Sequence, residues 1–340
     1  MLAVYITGPG KPGVVKINDA PDPKIGAKQA LVKIQAAGVN YAEVVIRKGL
    51  YPDAPEFPFI PGYEFAGTVE NTCYCGMVKP GDRVVGVTMF GAQAEYIVVD
   101  ESQLLPIPDN MSFVQAAAIP VNYLTAYYAL FRLGNLRENE KVLIHSCAGG
   151  VGTAAVQLAL TKQALIFGTT SQADKLDYLR RIGVQHPINY RNTDFAEEVS
   201  RLTEEKGIDL VMDPVGGPTF RKSYGLLAPG GRIISYGVAD LMSGSRWNFP
   251  RLLWKFLTLP RPAVLSLIQS NRGVFGLALN RLLSNPDDIR QILKELLKLF
   301  ESGAIKPEIA REYDFREAAD AHQFLESGRS TGKLVLKFHC

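Results

Sequence analysis

Cysteine is scarce in this chain. Cys73, Cys75, Cys147 and Cys340 are the four among 340 residues, and no CxxC pair occurs. That excludes a disulfide-stapled secreted scaffold and a zinc ribbon, and it fits a reducing compartment such as the cytoplasm. Charge of one sign is also in short supply: 37 Lys and Arg against 34 Asp and Glu leave a net +3, too small for a nucleic-acid footprint spread over the molecule. No run of about 18 apolar residues is present, so no transmembrane segment is expected. The opening MLAVYITGPG lacks the basic-then-apolar order of a secretion signal. His145, His186, His322 and His339 are the four histidines; no two have metal-ligand spacing, and structural or surface roles are expected for all of them. Gly and Pro, 31 and 21 residues, stay below a low-complexity level, and 47% apolar content suits a chain folded throughout, with length for about two domains.

The first 110 residues or so carry short Val/Ile-rich runs, ALVKIQAAGV, RVVGVTMF and EYIVVD, parted by Gly and Pro turns such as KPGDR; this half reads as mainly β. From about Asn122 the apolar runs KVLIHS, ALIFGTT, DLVMD and RIISYG alternate with helical stretches such as TAAVQLALTKQ and ADKLDYLRRIG. Such alternation predicts βαβ units and a parallel sheet, because a parallel crossover needs a helix to bring the chain back. Beyond Pro262 the periodicity predicts helices over 286–301 and 316–327 and a last strand in GKLVLKF.

The strongest local signal is KVLIHSCAGGVGTAAVQLAL at 141–160: a buried strand, a glycine turn, then a helix. Unpaired N–H groups at such a helix start suit a pyrophosphate, and glycines let it come close. Ala148, Gly149, Gly150, Val151 and Gly152 are therefore expected cofactor contacts. Cys147 stands where GxGxxG has its first glycine, and the turn taken alone also fits a plain strand-to-helix junction. About 20 residues further on, an NAD-specific fold places a carboxylate on the ribose 2′-hydroxyl; here Thr170 and Ser171 stand instead. A 2′-phosphate can then be accepted by Ser171 and Lys175, with Tyr190 and Arg191 reaching in from the following strand. NADPH is the expected cofactor.

Several longer segments carry a resemblance over essentially the whole chain: AAGVNYAEVVIRKGLYP at 36–52, PGYEFAGTVE at 61–70, KPGDRVVG at 79–86, AAAIPVNYLTAYYAL at 116–130, HSCAGGVGTAAVQLA at 145–159, GIDLVMDPVGG at 207–217 and GKLVLK at 332–337. The sequence resembles the quinone oxidoreductase branch of the medium-chain dehydrogenase/reductase superfamily, in particular the group that includes the vesicle amine transport protein homologues. The resemblance implies an α/β fold in which a GroES-like β domain, residues 1–124 plus 262–340, is interrupted by a Rossmann dinucleotide-binding domain with a doubly wound parallel sheet, residues 125–261. It further implies an active site in the cleft between them, a homodimer, and cofactor contacts from Asn40, Thr125, Gly237 and Lys333.

Zinc-dependent relatives hold their metal with Cys, His and Cys or Asp, and the matching positions here are Asn40, Tyr63 and the vicinity of Val121 and Asn122. Glu64 is left by itself, short of the three protein ligands a catalytic zinc needs. No metal is expected, and Cys73 and Cys75 read as free thiols. Without a Lewis acid, oxidation of simple alcohols loses its usual mechanism, whereas reduction of an electron-poor quinone or α,β-unsaturated carbonyl remains feasible. The candidate catalytic residues are Asn40, Tyr51 and Tyr63, as hydrogen-bond donors to the acceptor oxygen, with the final proton drawn from water.

One stretch stands apart. Residues 241–286 hold Arg246, Arg251, Lys255, Arg261, Arg272 and Arg281, no acid, and both tryptophans, Trp247 and Trp254. Basic side chains among large apolar ones suit a cleft wall and subunit interface, or reversible contact with anionic lipid. The second option defines the alternative function, a lipid-associated binding protein on the same scaffold with little turnover.

Overall fold

The computed structural model describes residues 1–51, 54–73, 76–242 and 263–339. They form two compact units, Met1–Leu124 with Leu279–Cys340, and Thr125–Ala278.

The first unit opens with an antiparallel hairpin, β1 (Leu2–Ile6) and β2 (Val15–Asp19). Next come β3 (Gln29–Val39), β4 (Glu64–Thr72), β5 (Arg83–Val87), β6 (Tyr96–Asp100) and β7 (Leu104–Pro106). β3 alternates half-buried and buried positions until Ala36, after which every residue is buried; alternation of this kind marks a strand with one face on the core. At its end the chain turns into α1 (Tyr41–Arg47), with Asn40 as N-cap and Glu43 completing a capping box. α2 (Phe113–Ala117) is capped by Ser112, and α3 (Pro120–Tyr127) follows.

The second unit runs β8 (Lys141–Ile144), α4 (Gly150–Leu160), β9 (Leu165–Thr170), α5 (Leu176–Arg181), β10 (His186–Asn189), α6 (Phe195–Leu202), β11 (Ile208–Asp213), α7 (Gly217–Gly225) and β12 (Leu227–Ser235). After α8 (Ala239–Met242) and α9 (Val264–Ser270), β13 (Gly273–Gly276) closes it. The strands pair in the order β10-β9-β8-β11-β12-β13, parallel throughout. This is the doubly wound order whose direction reverses at the first strand, and ligands of such sheets bind outside the carboxyl ends of the strands at that reversal.

The chain then returns to the first unit with α10 (Leu279–Leu282), α11 (Pro286–Glu301), β14 (Ile309–Asp314), α12 (Ala318–Glu326) and β15 (Lys333–Lys337). Return falls at Leu279 rather than at 262, because β13 is hydrogen-bonded to β12 and so belongs to the parallel sheet. β15 inserts antiparallel beside β3, giving the order β14-β15-β3-β4-β5-β7 with β6 also on β3. The core of this unit gathers Ile34, Phe65, Leu104, Phe315 and Phe338, all essentially inaccessible. Truncating one such ring to alanine costs about 3–5 kcal/mol.

Among the described residues no helix is long and apolar enough to cross a membrane. Arg246, Trp247, Arg251, Trp254, Lys255 and Arg261 lie outside the described residues. Of the same stretch, Arg272 is engaged within its own unit, over the Tyr224 ring with Nη1 donating to the Tyr224 carbonyl at 2.9 Å.

Candidate functional site

In the second unit the site starts at the end of β8. The chain turns through Ser146, whose φ is +51°, and enters α4 with Gly149 as N-cap. A Cβ on Gly152 would lie 2.5 and 2.6 Å from the carbonyl oxygens of Cys147 and Ser146, so this helix start closes only with glycine. The departure at the first fingerprint position has a structural counterpart. Cys147 is fully buried, and Gly168 of β9 makes room for it, since a Cβ there would sit 2.7 Å from Sγ. Burial pushes this thiol well above its ordinary pKa, so it packs as a small apolar group. Ala148 is buried, and Gly150 and Val151 are half-buried at the helix start.

β9 ends on buried Thr170, whose carbonyl accepts from the Tyr190 N–H at 3.1 Å. That bond brings the ends of β9 and β10 together, so Thr170, Ser171 and Tyr190 share one edge, with Tyr190 and Arg191 exposed. Lys175, the N-cap of α5, is buried to 7% exposure, and its ammonium pKa is lowered by desolvation against the opposing pull of Asp174. Gly237 lies against the loop after β11, where a Cβ would come 2.7 Å from the Pro214 carbonyl. Thr125 is buried in α3. A dinucleotide suits this edge: the helix start is open to a pyrophosphate, the sheet reverses beside it, and β9 ends without a carboxylate. His145, in contrast, is structural. Its ring bonds Thr169 at 3.0 Å and Ser223 at 2.7 Å, and burial lowers its pKa to about 3.

In the first unit a polar cluster is sealed around Asn40. Glu64, expected to stand alone, pairs with the Lys333 ammonium and also accepts from Asn40 Nδ2 at 3.0 Å and the Val121 N–H at 2.7 Å. Lys333 also donates to Asn40 Oδ1 at 2.6 Å. Expected as a cofactor contact, Lys333 points inward: with 3% exposure it ties β15 to β4 and to the N-cap of α1. Gly38 of β3 makes the space, since a Cβ there would overlap Glu64 Oε1 and lie 2.7 Å from Lys333 Cε. Asn40 has both amide hydrogens directed to carboxyl groups, Glu64 Oε1 and, at 3.4 Å, Glu43 Oε1, so it has none left for a substrate carbonyl.

Tyr63 is buried with its ring 5.2 Å from that of Phe90, and Tyr51 is half-buried against the same core. Burial, then the nearness of Glu43 and Tyr51, hold the Tyr63 phenol far above its ordinary pKa, so it is a neutral donor at every working pH. Neither Asn40 nor Tyr63 nor Val121 offers a metal a charged donor, and Glu64 is already engaged by three partners. Among the described residues no three His, Cys, Asp or Glu side chains group as metal ligands, and the site does not fit a zinc ion.

Glu43 and Gln93 escaped the sequence reading. Glu43 could have been found as the third residue after Asn40 in a capping box; nothing local marks Gln93. His322, expected in a structural or surface role, is fully buried with Nε2 3.7 Å from Glu43 Oε2.

Two family models match the chain, an alcohol dehydrogenase GroES-like domain over residues 26–109 and a zinc-binding dehydrogenase domain over residues 182–336. The human synaptic vesicle membrane protein VAT-1 homolog is 38% identical over 340 residues, which is 99% of this chain and 86% of that protein. The crystal structure of the human VAT-1 homolog-like protein superposes with a TM-score of 0.86 at 29% identity, covering 100% of this chain and 98% of that one. The Escherichia coli quinone oxidoreductase complexed with NADPH gives a TM-score of 0.88 at 28% identity over 99% of this chain and 100% of that one.

Proposed function

Because the chain belongs to the medium-chain dehydrogenase/reductase superfamily, in its quinone oxidoreductase branch, we propose that it is an NADPH-dependent, zinc-independent reductase of quinones or α,β-unsaturated carbonyls. The observation that carries the cofactor choice is the end of β9. Thr170 and Ser171 stand there in place of an acid, and Lys175 is close by, partly desolvated. The E. coli relative, solved with NADPH, supports the same reading.

The reduced nicotinamide, when bound, supplies the hydride. The chain's own residues then have three tasks. Gly149, Gly150 and Gly152 admit the pyrophosphate to the α4 N-terminus. Ser171 and Lys175, with Tyr190 and Arg191, receive the 2′-phosphate. Tyr51 and Tyr63 donate to the oxygen on which negative charge develops, while Asn40, held by Lys333 and Glu64, shapes the wall beside them. The acceptor is already activated, so no metal is required, and the protein's share is positioning.

The decisive experiment is NADPH and NADH binding to the Ser171→Ala/Lys175→Ala variant. A charge-assisted hydrogen bond contributes about 1.5–3 kcal/mol, so Kd for NADPH should rise by about 10- to 100-fold. NADH binding should be nearly unchanged; equal losses for both would refute the cofactor assignment. We take the active form to be a cytoplasmic homodimer, which light scattering on the purified protein checks. A second reading, reversible contact with anionic lipid, is favoured by one observation: α9 exposes Val264, Leu265 and Ile268 at 72%, 65% and 70%. Co-sedimentation with vesicles that does not respond to phosphatidylserine content would remove it.

A further inference from the structure

Two carboxyl groups and one ammonium meet at Asn40 in the sealed core of the first unit. Glu43 and Glu64 are fully buried, and only Glu64 has a cation in contact. Lys333 donates to it, which makes Glu64 the carboxylate of the pair. Glu43 is surrounded by neutral partners. Its Oε1 accepts from the Asn40 backbone N–H at 3.3 Å and from Asn40 Nδ2 at 3.4 Å, and its Oε2 accepts from Gln93 Nε2 at 2.8 Å.

The other charged groups nearby are committed elsewhere. Arg47, one turn along α1, is held by the Gly10 carbonyl and by Glu326 of α12, which also takes Lys48. His322 of α12 faces Glu43 Oε2 and is fully buried, with neither ring nitrogen hydrogen-bonded; burial first, then Arg47, lowers its pKa to about 3 and keeps it neutral. Tyr63, close to Glu43, is a neutral phenol and brings no positive charge. An ionised carboxylate without a counter-ion here would cost several kcal/mol, and the group escapes that cost by keeping its proton.

We propose that Glu43 is a proton-carrying positioning residue: as a neutral acid it holds the Asn40 amide against the Lys333–Glu64 pair, and when its O–H bond breaks, with the proton released to solvent, the amide is pulled towards the new carboxylate. Burial is the leading cause of a Glu43 pKa pushed up to about 8; Glu64 acts in the same direction, and Lys333, Gln93 and Asn40 oppose it. The catalytic half of this inference rests on the reductase reading above, with Asn40 beside the reacting groups. The structural half does not.

The test therefore has a substrate-free arm and a turnover arm. In the first, difference infrared spectroscopy follows the carboxylic-acid C=O band of the wild-type protein through alkaline pH. In parallel, the Asn40 side-chain amide resonance is followed in protein labelled with ¹⁵N-asparagine and assigned by its loss in Asn40→Ser. The band should disappear with a midpoint near 8, be missing from Glu43→Gln, and be accompanied by movement of the Asn40 resonance at the same midpoint. No protonated carboxyl band at neutral pH, or an Asn40 resonance indifferent to its titration, overturns the proposal; the wild-type measurements decide this even if the variant does not fold. In the second arm, kcat/KM for quinone reduction by NADPH should fall about tenfold per pH unit above the midpoint in the wild type, and Glu43→Gln should lack that limb. The same limb in both proteins overturns the positioning role. A protein that passes the spectroscopic arm yet reduces no quinone or enone keeps Glu43 as assigned and refutes the reductase reading instead.

Discussion

At the scale of single residues, the Lys333–Glu64 pair decides what the first unit tolerates. Lys333→Met leaves Glu64 as a buried carboxylate without its cation, and breaking a buried pair from one side costs about 3–5 kcal/mol. Urea unfolding should show that loss. Lys333→Met combined with Glu64→Gln should lose clearly less, because the stranded charge is gone; a double variant as unstable as the single one would mean that packing, not charge, governs the site. Tyr63→Phe tests the donor role: removing one donor to a developing oxyanion lowers kcat by as much as about 10²–10³, whereas a Tyr63 that merely fills space would leave kcat within a few-fold.

Elements show why these residues meet. Glu43 and Arg47 lie four residues apart on α1, and His322 and Glu326 lie four apart on α12, which packs against α1. Residues at that spacing share a helix face, so the two helices present an acid and a base each to one another. The glycine turn is equally specific in its demands. Gly152→Ala forces a methyl group against two backbone carbonyls; overpacking of this kind costs about 1–3 kcal/mol, so Kd for NADPH should rise by about 5- to 150-fold in a fluorescence titration.

Much of this level was legible in the chain. The strand-turn-helix at 141–160, the helix over 286–301 and the final strand follow from local periodicity and glycine placement, and they form where periodicity puts them. What was not legible is long-range. Glu64 looked solitary because its partner is 269 residues away, and Cys147 looked like a defect because the compensating Gly168 lies on the next strand. The boundary at Leu279 was hidden for the same reason, since β13 is a four-residue strand recognisable only by its pairing with β12.

For the whole molecule, the buried titratable groups set a stability window. His145 and His322 have folded pKa values lowered to about 3 from 6.5, so the unfolded chain binds more protons between those values. Their contribution is present above pH 6.5 and is lost as pH falls through about 3. Glu43, raised from 4.5 to about 8, behaves oppositely: its contribution is complete below pH 4.5 and is lost as pH rises through about 8. Each group changes stability by about 1.4 kcal/mol per pH unit inside its window. Thermal melting across pH should therefore peak near neutrality, and Glu43→Gln should flatten the alkaline side while leaving the acid side in place. An unaltered alkaline slope would remove Glu43 from the set of groups that govern it.

The split first unit also bears on how the chain acquires its structure during synthesis. β3 cannot gain its neighbour β15, nor Glu64 its counter-ion, until residues 333–337 have left the ribosome. The parallel sheet between them is contiguous in sequence and can close earlier. Nascent chains halted before β15 should accordingly display a protease-resistant parallel-sheet unit beside an amino-terminal segment that is still readily cleaved.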